Sequence, residues 1–190
     1  MPNIVVCYKW VLDESGIQVK SDLTVDLSGA ESKISADDRN AIEAAVRAAK
    51  SINGQAIGLT FGTENAQKSL KDALSRGLNS ACWVQSAHAA AADGKGTAKA
   101  LAAAIQTTGD VSLVICSDGA SDTLARQTAP RIGAVLGWPV ITAVRSLRLS
   151  EKELTVVKKL ENCMETIQVE LPAVISVLPE INPAPLPSLM

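Results

Sequence analysis

Two kinds of apolar pattern alternate along the first two thirds of the chain. Short runs rich in Val, Ile and Leu are separated by longer stretches in which apolar residues recur every three or four positions. The first pattern predicts buried strands and the second predicts amphipathic helices. The predicted strands cover residues 3–9, 55–62, 81–86 and 111–116, with a weaker strand at 23–27. The predicted helices cover residues 35–51, 63–77 and 96–109, and a fourth helix ends at Leu136.

This order of strands and helices predicts an α/β domain. The strands are continuous apolar runs, as expected of a parallel sheet with helices on both faces. After Pro139 four strand-like segments follow one another with only turns between them, and they predict an antiparallel β extension over residues 139–178. Residues 179–190 are rich in proline and predict an irregular tail. We therefore expect one domain that spans residues 1–190.

The helix predicted at residues 35–51 has a recognisable start. Ser35 is a favoured N-cap residue, and Asp38 takes the place of Glu three positions later in a capping box. We expect both side chains to accept hydrogen bonds from the first N–H groups of this helix.

Composition and charge narrow the classes of function. The 190 residues suit one compact domain, and the 47% of hydrophobic residues are enough for a sizeable core. The net charge is −2 and the basic residues are scattered, which argues against a nucleic-acid surface. The four cysteines form no CxxC pair and there is one histidine, so the sequence does not predict a zinc site. Neither a signal peptide nor an apolar run of ~18 residues is found, and we expect a cytoplasmic protein without membrane insertion.

A long polar loop follows the strand predicted at residues 111–116. The segment reads CSDGASDTLARQTAPRIGAVLGWP from Cys116 to Pro139. Ligands of open α/β sheets bind beyond the carboxyl ends of the strands, where this loop, the end of the first strand at residues 7–9 and the turn at Phe61-Gly62 should meet. Gly119 and its small neighbours allow a ligand to approach the backbone closely.

The helix after this loop predicts a phosphate site. Because Pro130 fits best in a first turn, the helix should begin near residues 126–128, with Arg126 adding positive charge. Asp118 and Asp122 would repel a phosphate, so we assign them to ribose hydroxyls or adenine nitrogens. Two interpretations remain open: a nucleotide-binding loop, or a surface loop whose Asp and Ser residues only cap the helix.

Other features of the sequence predict no catalysis. The stretch GKGT at residues 94–97 lacks the upstream glycine of a P-loop and is interpreted as a helix start. His88 lies in an Ala-rich linker and is interpreted as a surface residue. Since no catalytic triad and no carboxylate pair can be argued, a carrier or binding module is favoured over a hydrolase.

Five segments, in order along the chain, resemble one known family. They are IVVCYKWVLDE, ISADDRNAIEAA, QTAPRIGAVLGWP, METIQVELPAVISV and LPSLM. Together they resemble the β subunit of electron transfer flavoproteins over residues 3–190. The stretches KISADDRNAIEAA, DALSRG and CSDGASD are most similar to the branch associated with carnitine and acyl-CoA reduction operons.

The resemblance implies an electron carrier subunit that is not catalytic on its own. It implies an α/β fold of the adenine-nucleotide α-hydrolase-like type and a heterodimer with an α subunit that holds most of an FAD. Such complexes shuttle electrons to or from acyl-CoA dehydrogenases or reductases. The β subunit itself would bind AMP, or a second FAD in bifurcating members. The alternative is a stand-alone, universal-stress-like nucleotide-binding regulator, which would not account for the antiparallel extension or for LPSLM.

The resemblance also implies site residues. It places Leu186 on an exposed recognition loop that anchors the dehydrogenase. The implied nucleotide contacts are Cys7, Ser35, Ala36, Asp37, Asp38, Phe61, Ser117, Asp118, Gly119, Ala120, Ser121, Asp122, Thr123, Leu124, Ala125, Arg126, Gln127 and Thr128.

The chain departs from the family pattern at three places. The family's Asn-Pro-Phe/Tyr is replaced by Ser35-Ala36-Asp37, and its Gly-Lys-Gln by Ser117-Asp118-Gly119. Lys159 stands where the family has a Glu that steadies the flavin domain of the α subunit. These departures leave AMP and FAD as alternatives for the nucleotide.

Overall fold

The computed structural model describes residues 1–150 and 152–187. The strands are β1 Asn3–Cys7, β2 Trp10–Leu12, β3 Gln18–Val19, β4 Val25–Asp26, β5 Ser32–Ile34, β6 Gln55–Gly62, β7 Ser80–Gln85, β8 Val111–Ser117, β9 Val140–Leu149, β10 Glu153–Lys159, β11 Met164–Glu170 and β12 Ala173–Val177. The α-helices are α1 Ala36–Ser51, α2 Ser69–Ser75, α3 Gly94–Thr108 and α4 Thr128–Leu136.

Eight strands form one central sheet in the order β11-β10-β9-β12-β8-β1-β6-β7. The six neighbouring strands from β9 to β7 are parallel, and β10 pairs antiparallel with both β9 and β11. The predicted α/β class, with a parallel sheet and antiparallel strands near the C-terminus, is confirmed.

The last predicted strand of the antiparallel extension lies elsewhere. β12 inserts between β8 and β9 and runs parallel to both, so the prediction of an antiparallel extension over residues 139–178 is wrong for this strand. All five of its residues are buried, which is the pattern of a central parallel strand covered on both faces. The antiparallel part is therefore the β9–β10–β11 meander alone.

The sheet is covered on both faces, and β1 shows how. Ile4 and Val6 point to the face that α1 covers, in a core with Ile42. Val5 points to the opposite face, in a core with Ile132 of α4. Because successive residues of a strand point to opposite faces, one apolar run serves both cores.

Two local predictions are refined by the structure. The helix predicted at residues 63–77 is a 3₁₀ segment at Glu64–Lys68 followed by α2. The weak strand predicted at 23–27 is reduced to β4, which pairs with β3 outside the central sheet. Across the described ranges 1–150 and 152–187, no helix combines the length and apolarity that a membrane crossing requires.

Candidate functional site

A cleft of about 550 Å³ opens at the carboxyl ends of β1, β6 and β8. Its walls are the ends of these strands, the loop of residues 117–127, and the first turns of α3 and α4. This is the edge of a parallel sheet where ligands of open α/β folds bind. The volume lies within the ~300–1,000 Å³ that is typical of small-molecule sites.

Most of the residues predicted to contact a nucleotide line this cleft. They are Cys7, Asp38, Phe61, Ser117, Asp118, Gly119, Ala120, Asp122, Thr123, Ala125, Arg126, Gln127 and Thr128. The other predicted residues do not line it: Ser35, Ala36, Asp37, Ser121 and Leu124. The structure thus brings the three predicted segments together.

Asp38 joins two of these segments. Its carboxylate is buried, with 3% of the residue exposed. Oδ2 accepts a hydrogen bond of 2.8 Å from the backbone N–H of Lys9, and Oδ1 accepts one from the Ser117 hydroxyl. The carboxylate therefore ties the start of α1 to the end of β1 and to the beginning of the long loop.

The predicted capping box is wrong. Ser35 lies at the N-cap position, but its side chain makes no capping hydrogen bond. Its hydroxyl oxygen instead accepts a hydrogen bond of 3.0 Å from the N–H of Ser121 in the long loop. Contacts between distant segments thus replace the local contacts that Ser35 and Asp38 were predicted to make.

Burial makes the Asp38 carboxyl a weaker acid than an ordinary aspartate carboxyl. Loss of contact with water raises its pKa to about 7, against the lowering effect of the hydrogen bonds from Ser117 and Lys9. The neighbouring Asp37 adds a smaller upward shift of this pKa. The Asp38 carboxyl therefore gains or loses its proton near neutral pH, which makes it a candidate functional group.

The other two carboxylates of the cleft have partners within the protein. Asp118 accepts a hydrogen bond of 2.7 Å from the Ser176 hydroxyl and lies 3.3 Å from Nε of Arg126. Asp122 lies 2.6 Å from Nζ of Lys9, and both residues line the cleft. Because each negative charge faces a positive one, the repulsion expected between these aspartates and a phosphate is offset.

The long loop contains backbone conformations that residues other than glycine rarely adopt. Leu124 and Arg126 have φ values of 47° and 55°. The N–H of Leu124 donates a hydrogen bond of 2.8 Å to the carbonyl of Ala120, which closes a tight turn. Non-glycine residues in this region are strained by ~1–3 kcal/mol each and cluster at functional sites.

The N-terminus of α4 faces the cleft. The helix begins at Thr128 with Pro130 in its first turn, as the sequence predicts. Gln127 occupies the N-cap position but does not cap the helix, since its Oε1 accepts a hydrogen bond of 3.0 Å from Nε of Arg131. The first N–H groups of a helix have no partner within it, and with the helix dipole they favour an anion.

Sequence reasoning missed the contribution of α3. GKGT is a helix start as predicted, with Oδ1 of Asp93 accepting a hydrogen bond of 2.7 Å from the N–H of Gly96. However, Gly94, Thr97 and Leu101 also line the cleft. The signal in the sequence was the position of this helix after a strand, because a helix that follows a parallel strand begins at the carboxyl edge of the sheet.

The remaining missed residues lie at strand ends and in one linker. Tyr8 and Lys9 belong to residues 7–9, which the sequence places at this edge although it does not single them out as contacts. Cys116 directly precedes the long loop, and the linker supplies Ala89, Ala90 and Ala92. Phe61 and the alanines contribute apolar surface to the cleft, whereas the long loop contributes mostly polar residues. Such a cleft suits a ligand with a flat apolar part and a charged end.

Two further predictions concern the surface and metals. Leu186 is 92% exposed, between Pro185 and Pro187. The last three residues of the predicted LPSLM motif, 188–190, lie outside the described residues. Among the described residues, no group of three or more His, Cys, Asp or Glu side chains is arranged to hold a metal ion.

Comparison with known families covers most of the chain. A family model described as the electron transfer flavoprotein domain matches residues 22–189. The match includes the long loop, α4 and the antiparallel meander. Of these, the meander is the part that the universal-stress-like alternative leaves without an explanation. Proteins of this kind are in general electron carriers and not catalytic enzymes, so the match supports a role in electron transfer. This chain belongs to the electron transfer flavoprotein domain family.

Proposed function

We propose that this chain is a β-type subunit of an electron transfer flavoprotein. It holds an adenine nucleotide, either AMP or a second FAD, and pairs with an α subunit that carries most of another FAD. The complex passes electrons to or from acyl-CoA dehydrogenases or reductases. The observation that carries the proposal is the cleft between the long loop and the N-terminus of α4, in a chain whose residues 22–189 match the family.

The chemistry of the cleft fits the adenine nucleotide part that AMP and FAD share. The first turn of α4 offers N–H groups and the positive end of the helix dipole to a phosphate, and Arg126, whose charge is shared with Asp118, lies nearby. Phe61 and Leu101 offer apolar surface to a base. Since Asp118 and Asp122 are paired with Arg126 and Lys9, they do not present free negative charge to the phosphate.

The residues of this chain bind and orient the nucleotide, and a bound flavin would supply the electron-transfer chemistry. Asp38 holds Lys9 and Ser117 in place, so it fixes two walls of the cleft relative to each other. The Ser176 hydroxyl and the Val177 carbonyl, both on β12, hold Asp118 at the start of the loop. The last strand of the parallel sheet thereby helps to shape the nucleotide site.

Leu186 is proposed to anchor the acyl-CoA enzyme. Its exposed side chain is flanked by prolines, which restrict the free chain and reduce the entropy lost on binding. The competing interpretation is a proline-rich tail with a single exposed leucine that contacts nothing.

The nucleotide proposal is tested on the complex with an α subunit encoded by a neighbouring reading frame. The purified complex is denatured, and the released nucleotides are separated and quantified by chromatography. We expect one adenine nucleotide bound by this chain in addition to the FAD of the α subunit, and its identity decides between AMP and a second FAD.

A matched pair of variants assigns the nucleotide to the cleft. Thr128→Val should lower the amount retained, whereas Thr128→Ser, which keeps the hydroxyl, should retain most of it. Thr107→Val on the exposed end of α3 is the control, because its hydroxyl bonds only the carbonyl of Ala104. A complex that releases FAD from the α subunit and never any further nucleotide would refute the proposal.

A further inference from the structure

Two thiols lie side by side in the floor of the cleft. Cys7 on β1 pairs directly with Cys116 on β8 in the parallel register. Both are free thiols, both line the cleft, and they are 4% and 2% exposed. Paired residues of neighbouring parallel strands point to the same face, so the two side chains are neighbours. The adjacent Cys7 thiol and burial both raise the pKa of Cys116.

We propose that Cys7 and Cys116 form a modification site, a dithiol that a hydroperoxide oxidises reversibly to an intramolecular disulfide. The Cys7 sulfur attacks the O–O bond, becomes a sulfenic acid and releases the alcohol, or water when the oxidant is hydrogen peroxide. The Cys116 sulfur then attacks the Cys7 sulfur, the S–O bond breaks, and the hydroxyl group of the sulfenic acid leaves as water together with the Cys116 proton. Two thiols are oxidised and one peroxide is reduced. Cys116 is assigned as the second sulfur because its raised pKa disfavours the thiolate that attacks a peroxide.

The spacing between β1 and β8 permits this disulfide, and closing the disulfide should perturb the site. Neighbouring strands lie about 4.8 Å apart. The Cα atoms of a disulfide lie about 4.4–6.8 Å apart, a range that includes this spacing, and its Cβ atoms lie about 3.8 Å apart, so the bond can close with a local adjustment of β1 and β8. Cys116 directly precedes Ser117, and Cys7 lies two residues before Lys9. These are the residues that donate hydrogen bonds to Asp38, so the disulfide should disturb the contact that fixes the cleft walls.

The cleft is also the route by which an oxidant reaches the pair. A nucleotide bound there should therefore protect the thiols, and the disulfide should weaken nucleotide binding. This coupling rests on the proposed function, whereas formation of the disulfide does not.

The test uses the full chain with Cys82→Ser and Cys163→Ser, which removes the two exposed cysteines and leaves only the pair. Hydrogen peroxide should remove both thiols together, with the intact mass of a monomer that has lost two hydrogens, and dithiothreitol should restore them. With Cys116→Ser added, the reaction should stop at a sulfenic acid on Cys7 that dimedone traps. Survival of both thiols under conditions that oxidise Cys82 and Cys163 in the unmodified chain would overturn the proposal.

AMP is the probe for the coupling. At ten times its dissociation constant AMP should slow the loss of thiols about tenfold. Equal rates with and without bound AMP would refute the coupling and leave the disulfide standing. If AMP does not bind the reduced chain at all, the proposed nucleotide site fails, and the disulfide is still judged by mass and thiol count.

Discussion

Asp38→Asn tests the physical account of the site most directly. The carboxyl is buried, and its pKa is raised from 3.8 to about 7 by loss of hydration. Between these two values the folded chain holds a proton that the unfolded chain has released. The contribution of Asp38 to stability is therefore fully present below the unfolded pKa and is lost as pH rises through the folded pKa.

The size of this effect follows from the shift. One unit of pKa corresponds to about 1.4 kcal/mol, so the shift costs the folded state roughly 4 kcal/mol well above pH 7. Between about pH 5 and pH 8 the change amounts to ~2–3 kcal/mol of unfolding free energy. Asparagine is neutral throughout this range and removes the dependence. It also gives up one hydrogen bond from Lys9 or Ser117, at a cost of about 1–3 kcal/mol that does not vary with pH.

Urea unfolding of both chains across this pH range measures the effect. The difference in unfolding free energy, variant minus wild type, should rise by ~2–3 kcal/mol from pH 5 to pH 8. Asp22→Asn is the control, because the pKa of Asp22 is lowered by hydrogen bonds from Thr24 and its contribution is lost only as pH falls through that lower value. A difference that stays constant over the range would show that Asp38 does not titrate there and would refute the reasoning.

Two further predictions address recognition and packing. Leu186→Ala should weaken binding of the acyl-CoA enzyme by about ten- to hundredfold, since an exposed Leu entering an apolar pocket supplies roughly 1.5–3 kcal/mol. The rate of electron transfer at a limiting concentration of the acyl-CoA enzyme measures this effect, while folding and flavin content should stay unchanged. Leu23→Ala, at another exposed leucine, is the control. A wild-type rate for Leu186→Ala would show that Leu186 is no anchor. Gly133→Ala should destabilise the fold by about 1–3 kcal/mol, because its Cβ would overlap the Val140 side chain and outweigh the gain of ~1 kcal/mol in helix propensity. Thermal unfolding measures this against Gly96→Ala, where a Cβ meets only ordinary contacts, and equal melting temperatures for the two variants would contradict the packing argument.

Local patterns carried much of the fold. An apolar run predicted β6 with its observed bounds, Gln55–Gly62, because a strand buried on both faces needs no alternation. The position of Pro130 predicted the start of α4, since proline fits a first turn for reasons internal to the helix. In the same way, the order of strands and helices was enough to place the loop of residues 117–127 at the carboxyl edge of the sheet.

The sequence by itself thus determined most elements of the central sheet and the helices that cover it, the α/β class and the edge of the sheet at which the cleft opens. Only the tertiary structure decided how distant segments pair. An apolar run predicts that β12 is buried but not that it joins β8, because the pairing of a strand depends on neighbours far along the chain. Similarly, the local sequence predicts that Asp38 is a capping residue, whereas its hydrogen-bond partner Ser117 lies 79 residues away. A hydrogen bond of this kind leaves no local pattern, so burial and its effect on the pKa of Asp38 appear only once the chain is folded.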